Sequence, residues 1–300
     1  MKLYNGKRRS HPSPLGKGMR ILITGAGGQL GRALQEALAA HSLIPLTRAD
    51  LDITDRAAVF RAILRYRPDV VIHAAAMTDV DGCARDPERA FQVNALGTQT
   101  VAMACGAAGA TMVYISTNEV FDGTKTEPYL EFDPPNPINP YGRSKWAGEW
   151  FVSHLLRRFY IVRTAWVFGP GGHHFIRKIL QRADEQGALR VVHDEVGSPS
   201  YARDVAAAIA RLIETGAYGI YHFTNEGMCS RYEYAIEILR RTGRSHIPVT
   251  PISLTEFPRP SRVPPFTPLR NLCGATMGIT LRPWPEALRA YLAEEGWLSE

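Results

Sequence analysis

Cysteine is scarce, with Cys83, Cys105, Cys229 and Cys273 the only four in 300 residues. They lie too far apart for C-x-x-C metal spacing and are too few for a secreted disulfide scaffold, so reduced thiols are expected. No apolar run approaches the roughly 18 residues a membrane helix needs, and the N-terminus lacks the apolar middle of a secretory signal. A cytoplasmic protein without a membrane partner is expected. Lysine is sparse, at six of the 35 basic residues, which codon bias and a hot habitat explain equally well. The nine histidines, among them His173-His174, have no carboxylate or cysteine spacing that marks a metal site, so none is predicted. The net charge of +6 is a feature of one end: residues 1–19 hold Lys2, Lys7, Arg8, Arg9 and Lys17 with no acid, leaving about +1 for the rest. A nucleic-acid surface belongs on the folded body, with aromatic interleaving or a recognisable module. Neither is there, which argues against such a partner.

What is present is enough apolar residue, 45%, to bury a large core, in two domains or one with a substantial appendage. Residues 1–18 form a basic, Gly-, Pro- and Ser-rich stretch without periodicity, expected to be disordered; Met19 is the expected biological start. Beyond it, apolar strand-like runs alternate with helical patterns. Ser42–Leu46, Val70–Ala76, Met112–Ser116 and Tyr160–Val167 read as strands. Thr54-Asp55 caps a helix running to about Tyr66, while Pro87–Ala108 and Tyr141 to about Arg158 are also helical in pattern. Such alternation predicts an α/β fold, a doubly wound parallel sheet covered on both faces. The nucleotide-binding layer is expected to span residues 19–167. Residues 168–300 form a smaller mixed portion, mainly for substrate, with helices at Phe175–Gln186, Ala202–Thr215 and Arg231–Thr242 and short strands at Leu189–Val192 and Ile220–Phe223. The prolines of Pro248–Pro268 exclude a regular helix or central strand there. That segment is either a loop over the substrate or a plain connector.

Two local patterns carry chemistry. Thr24–Gly31, TGAGGQLG, joins an apolar run to a helical one, and Gly25, Gly28 and Gly31 permit the sharp turn, the approach of backbone amides to a pyrophosphate and close helix–strand packing. The helix N-terminus then faces the phosphates. In PYGRSK, Tyr141 and Lys145 stand four apart on a helix, which puts both side chains on one face. They follow the strand-ending STNEVF by about 25 residues.

With these motifs the chain resembles the extended short-chain dehydrogenase/reductase family, and within it the reductases of nucleotide-sugar 4-ketones. TGAGGQLG, DLDITD, HAAAMTDVD, FQVNALGT, STNEVFDG, NPYGRSKWAGE, RTAWVFG and GSPSYARDVA occur in that order from about Met19 almost to the end. The resemblance implies reduction of the 4-keto group of a dTDP-4-keto-6-deoxy sugar by NADPH, with NADH the alternative coenzyme. Tyr141 is then the general acid, Lys145 lowers its pKa and holds the nicotinamide ribose, and Thr117 donates a second hydrogen bond to the substrate oxygen. For the coenzyme it implies Gly28, Gln29 and Leu30 at the pyrophosphate, Asp52 and Ile53 near the adenine, Ala74, Ala75 and Ala76 along a strand end, and Asn94 in the active-site helix. Arg48, about where an acid would bind the ribose of NAD, suits the 2′-phosphate of NADP, or is a solvated surface arginine. Asn118 and Trp166 fall to the substrate side, Trp166 beside the nucleotide-sugar or in the core, and Arg262 to a substrate phosphate.

Two departures stand out. Val263 replaces a second arginine of the family's proline-rich loop. Asn118-Glu119 replaces the reductase pair Asp-Tyr; Glu119 is a dehydratase-like residue, but Asn118 cannot supply the acid that elimination needs. An epimerase or dehydratase of the same superfamily and a non-catalytic NADP-binding regulatory subunit are the competing functions. Magnesium use and a homodimer, both found among relatives, are left open.

Overall fold

A computed structural model of the chain describes residues 18–172 and 174–299. The expectations for the basic tail and for His173 fall outside these residues, apart from Gly18. The first half contains β1 (Arg20–Thr24), α1 (Gln29–Ala37), β2 (Ser42–Leu46), α2 (Arg56–Tyr66), β3 (Val70–His73), α3 (Val80–Arg85), α4 (Pro87–Phe91), α5 (Thr98–Ala108), β4 (Thr111–Thr117), α6 (Pro140–Leu155) and β5 (Phe159–Thr164). The second half contains β6 (Val167–Phe168), α7 (Phe175–Gln186), β7 (Leu189–Val192), β8 (Val196–Gly197), β9 (Ser200–Tyr201), α8 (Ala202–Thr215), β10 (Gly219–His222), β11 (Cys229–Ser230), α9 (Arg231–Arg241), β12 (Val249–Ile252) and α10 (Trp284–Glu294).

Six parallel strands form the main sheet in the order β2-β1-β3-β4-β5-β10. Ile21, Leu22 and Ile23 are buried whichever way they point, because α1 and α8 cover one face while α2, α5 and α6 cover the other. The order reverses between β1 and β3, which opens a crevice beyond the strand ends where ligands of such sheets bind. Local signals set the helices: Asp55 caps α2 by accepting from the Ala58 amide at 2.9 Å, and Asn139 caps α6 through the Gly142 amide at 2.8 Å. Among the described residues no helix is long and apolar enough to cross a membrane.

The structure departs from the sequence reading in several places. The strand expected over Tyr160–Val167 breaks after Thr164, because Trp166 turns the chain with a φ of +44°. The helix expected over Pro87–Ala108 is three pieces, α4 and α5 being joined by a π-helical turn at Gln92–Gly97. A division after residue 167 is crossed by the chain: α8 packs against α1, and β10 supplies the sixth strand. The rest of the second half builds its own core from α7, α9 and α10, centred on Tyr234, Ile238, Leu288 and Tyr291. The proline-dense segment opens with β12, which pairs only with β7; Pro251 is tolerated there because this two-stranded sheet has no central strand.

Candidate active site

At the crevice, Gly25 takes a φ of +72°, and a Cβ there would lie 2.7 Å from the Ala75 amide nitrogen. A Cβ on Gly31 would lie 2.2 Å from the Gly25 carbonyl oxygen, so neither position admits a side chain. α1 starts at this turn without a side-chain cap, so its first amides need another partner. A cleft of about 780 Å³ runs from here across the ends of β1, β3 and β4 to the second half of the chain. Its lining includes Gly25, Gly28, Gln29, Leu30 and Gly31 at the turn, Arg48, Asp52 and Ile53 after β2, Ala74, Ala75 and Ala76 after β3, Thr117, Asn118, Tyr141, Lys145, and Trp166.

Two predicted residues do not line it. Asn94 is drawn behind the wall, where it accepts from the Met77 amide at 2.8 Å and donates to the Met77 carbonyl and the Ser144 hydroxyl, each at 3.0 Å. It clamps the π-helical turn to α6. Arg262 is exposed, and its carbonyl is held by Asn139 Nδ2 at 3.0 Å. The surrounding loop is pinned by an Arg259–Asp81 ion pair at 3.0 Å and by Asn118 Nδ2 donating to Thr267 at 2.6 Å. It is anchored, yet none of residues 257–268 lines the cleft.

Capping of α6 by Asn139 brings Tyr141 and Lys145 against the end of β4, beside Thr117. The Thr117 hydroxyl donates to Asn118 Oδ1 at 3.2 Å, beside the Tyr141 phenol. Lys145 does not lower the phenol as expected: burial first, and the Glu119 carboxylate second, push the Tyr141 pKa up. The Lys145 Nζ instead donates to the Ile115 carbonyl at 2.6 Å, over the Tyr114 ring, and burial brings its pKa down to about 7. The phenol is therefore protonated at neutral pH. Behind the site His73 bridges Thr24 at 2.7 Å and Thr98 at 3.1 Å, and burial keeps it neutral with a pKa near 3.

Each acid near Arg48 has one carboxylate oxygen engaged locally. Asp50 accepts from the amide and hydroxyl of Thr47, and Asp52 from those of Thr54, all within 3 Å. Arg48 stays exposed at the cleft. Across the cleft Trp166 packs under the Arg231 guanidinium, 3.5 Å above its ring, and Glu195 holds that guanidinium at 2.9 Å. Arg231 escaped sequence reasoning because it begins a helix 65 residues beyond the tryptophan it covers. Its local signal, the Ser230–Glu233 capping box, reports only the helix start. Among the described residues no cluster of three or more His, Cys, Asp or Glu is arranged to hold a metal ion.

Residues 19–296 match the family described as the RmlD substrate binding domain. The chain belongs to this family. It is 41% identical over 280 residues to the dTDP-4-dehydrorhamnose reductase of Mycolicibacterium smegmatis, covering 91% of this chain and 85% of that protein. A crystal structure of the Clostridium acetobutylicum dTDP-4-dehydrorhamnose reductase superposes with a TM-score of 0.90 at 42% identity, covering 93% of this chain and all of the other. The Bacillus anthracis reductase, solved with NADP, gives a TM-score of 0.89 at 38% identity, over 92% and 99% of the two chains. For an RmlD family member, the sheet, the glycine turn and the Thr117–Tyr141–Lys145 grouping thus fall within one chain-length similarity.

Proposed function

We propose that this RmlD family protein reduces the 4-keto group of a dTDP-4-keto-6-deoxy sugar with NADPH, converting dTDP-4-dehydrorhamnose to dTDP-rhamnose for cell-surface polysaccharide. The observation that carries the reading is the convergence of Thr117, Tyr141 and Lys145 on a cleft that begins at an uncapped helix N-terminus. The amides of Gln29, Leu30 and Gly31 suit a pyrophosphate, with Ile53 and Asp52 toward the adenine and Ala74–Ala76 along the strand end. Arg48, exposed at the cleft, suits a 2′-phosphate. The bound coenzyme supplies the hydride. The Tyr141 phenol, held protonated by burial, donates its proton to the ketone oxygen, and the Thr117 hydroxyl fixes that oxygen beside it. Trp166 and Arg231 form the wall toward the nucleotide-sugar.

A dehydratase reading is disfavoured, because the amide of Asn118 is spent on Thr267 and carries no acidic proton. A purely regulatory role leaves the gathered Thr–Tyr–Lys grouping without a use. The test mixes the protein, NADPH and dTDP-4-keto-6-deoxy sugar. Loss of the reduced nicotinamide absorbance with formation of dTDP-rhamnose is expected; no net coenzyme consumption overturns the reading.

A further inference from the structure

Glu119 is the residue at which this chain departs from the reductase pattern, and the fold gives its carboxylate an unusual setting. It follows Thr117 and Asn118 on a 3₁₀ turn at the end of β4 and lines the cleft together with Tyr141 and Trp166. One oxygen, Oε2, accepts from Asn139 Nδ2 at 2.6 Å. Among the described residues the other oxygen has no hydrogen-bond partner and the group has no ion pair. The two nearby guanidiniums are already paired, Arg231 with Glu195 and Arg259 with Asp81. The α6 cap thus anchors one half of the carboxylate and leaves the other half available beside the phenol that meets the ketone. A partly buried acceptor of this kind needs a donor, and a sugar ring brings hydroxyls.

Building on the reductase reading, we propose that Glu119 is a specificity-determining residue that accepts a hydrogen bond from the sugar hydroxyl on the carbon next to the ketone. Asn139 positions it, and because the same amide also holds the Arg262 carbonyl, the contact is braced by the proline-rich loop. A substrate lacking that hydroxyl leaves the acceptor unpaired in the closed site, which is the arrangement that discriminates most strongly between analogues.

The experiment compares dTDP-4-dehydrorhamnose with its analogue lacking the flanking hydroxyl, using wild type, E119A and E119Q, with NADPH binding measured as a check on the fold. Wild type is expected to prefer the hydroxylated sugar by roughly tenfold to a hundredfold in kcat/KM. E119A should lose that preference by slowing on the hydroxylated sugar alone, and E119Q should keep part of it. If E119A fails to bind NADPH, E119Q carries the comparison. An unchanged preference in the variants, with turnover intact, overturns the assignment and leaves the reductase reading standing. Equal slowing on both sugars also overturns it, in favour of a role in proton supply. Absence of turnover by wild type on either sugar overturns the reductase reading and this assignment with it.

Discussion

The Lys145 Nζ donates to the carbonyl of Ile115, the residue two places before Thr117, at 2.6 Å. This bond ties α6 to the end of β4 and places a buried ammonium directly over the Tyr114 ring. Its cost is a pKa near 7 instead of the ordinary 10.5, with burial the cause. In the unfolded chain the lysine stays protonated up to its ordinary value, while in the folded one it releases its proton above about pH 7. The unfolded state then binds more protons, so folding stability rises with pH above 7. Above about 9 the buried thiols pull the other way, since burial raises Cys83 to about 11. The ligand-free protein should therefore melt at a higher temperature at pH 8.5 than at pH 7. K145M should flatten that rise in calorimetry.

Tyr141→Phe removes the phenol proposed as proton donor and little of the packing. Turnover should fall by roughly a hundredfold to ten-thousandfold while NADPH still binds, as read by steady-state kinetics and coenzyme fluorescence. Retained catalysis would remove Tyr141 from the role assigned to it.

Arg48→Ala tests the coenzyme preference. Without a cation for the 2′-phosphate, KM for NADPH should rise roughly tenfold and that for NADH should stay unchanged. An equal change for both coenzymes means that the arginine does not read the phosphate.

Arg163 and Glu149 form an ion pair at 2.7 Å, with side chains 2% and 5% exposed. Glu149 also accepts from the Ser116 hydroxyl at 2.5 Å, next to Thr117. Glu149→Ala strands a buried guanidinium and should destabilise the fold by about 3–5 kcal/mol in urea unfolding. Replacing both residues by Met and Leu should recover much of that loss. Equal destabilisation by the single and double variants would show that Ser116 contact, not charge pairing, dominates.

Much of the site was readable before any coordinates. Gly31 is fixed by backbone sterics within eight residues, against the Gly25 carbonyl, and Tyr141 and Lys145 share a face through helix geometry alone. Asn94 and Arg262 were less readable. A resemblance assigns a residue to a motif, but the π-helical turn draws Asn94 back onto Met77, and the loop bearing Arg262 is pinned by its neighbours Arg259 and Thr267 while the Arg262 side chain points to solvent.

By itself the sequence determined the alternation of strand and helix, the glycine turn and the tyrosine–lysine face, because each depends on steric and periodic rules acting over a few residues. Tertiary structure alone decided that β10 completes the sheet, that Arg231 covers Trp166, and that Glu119 keeps one oxygen free beside Tyr141. Those facts join residues far apart along the chain. They depend on which apolar faces pack together and on which charges are already paired, and no local pattern encodes either.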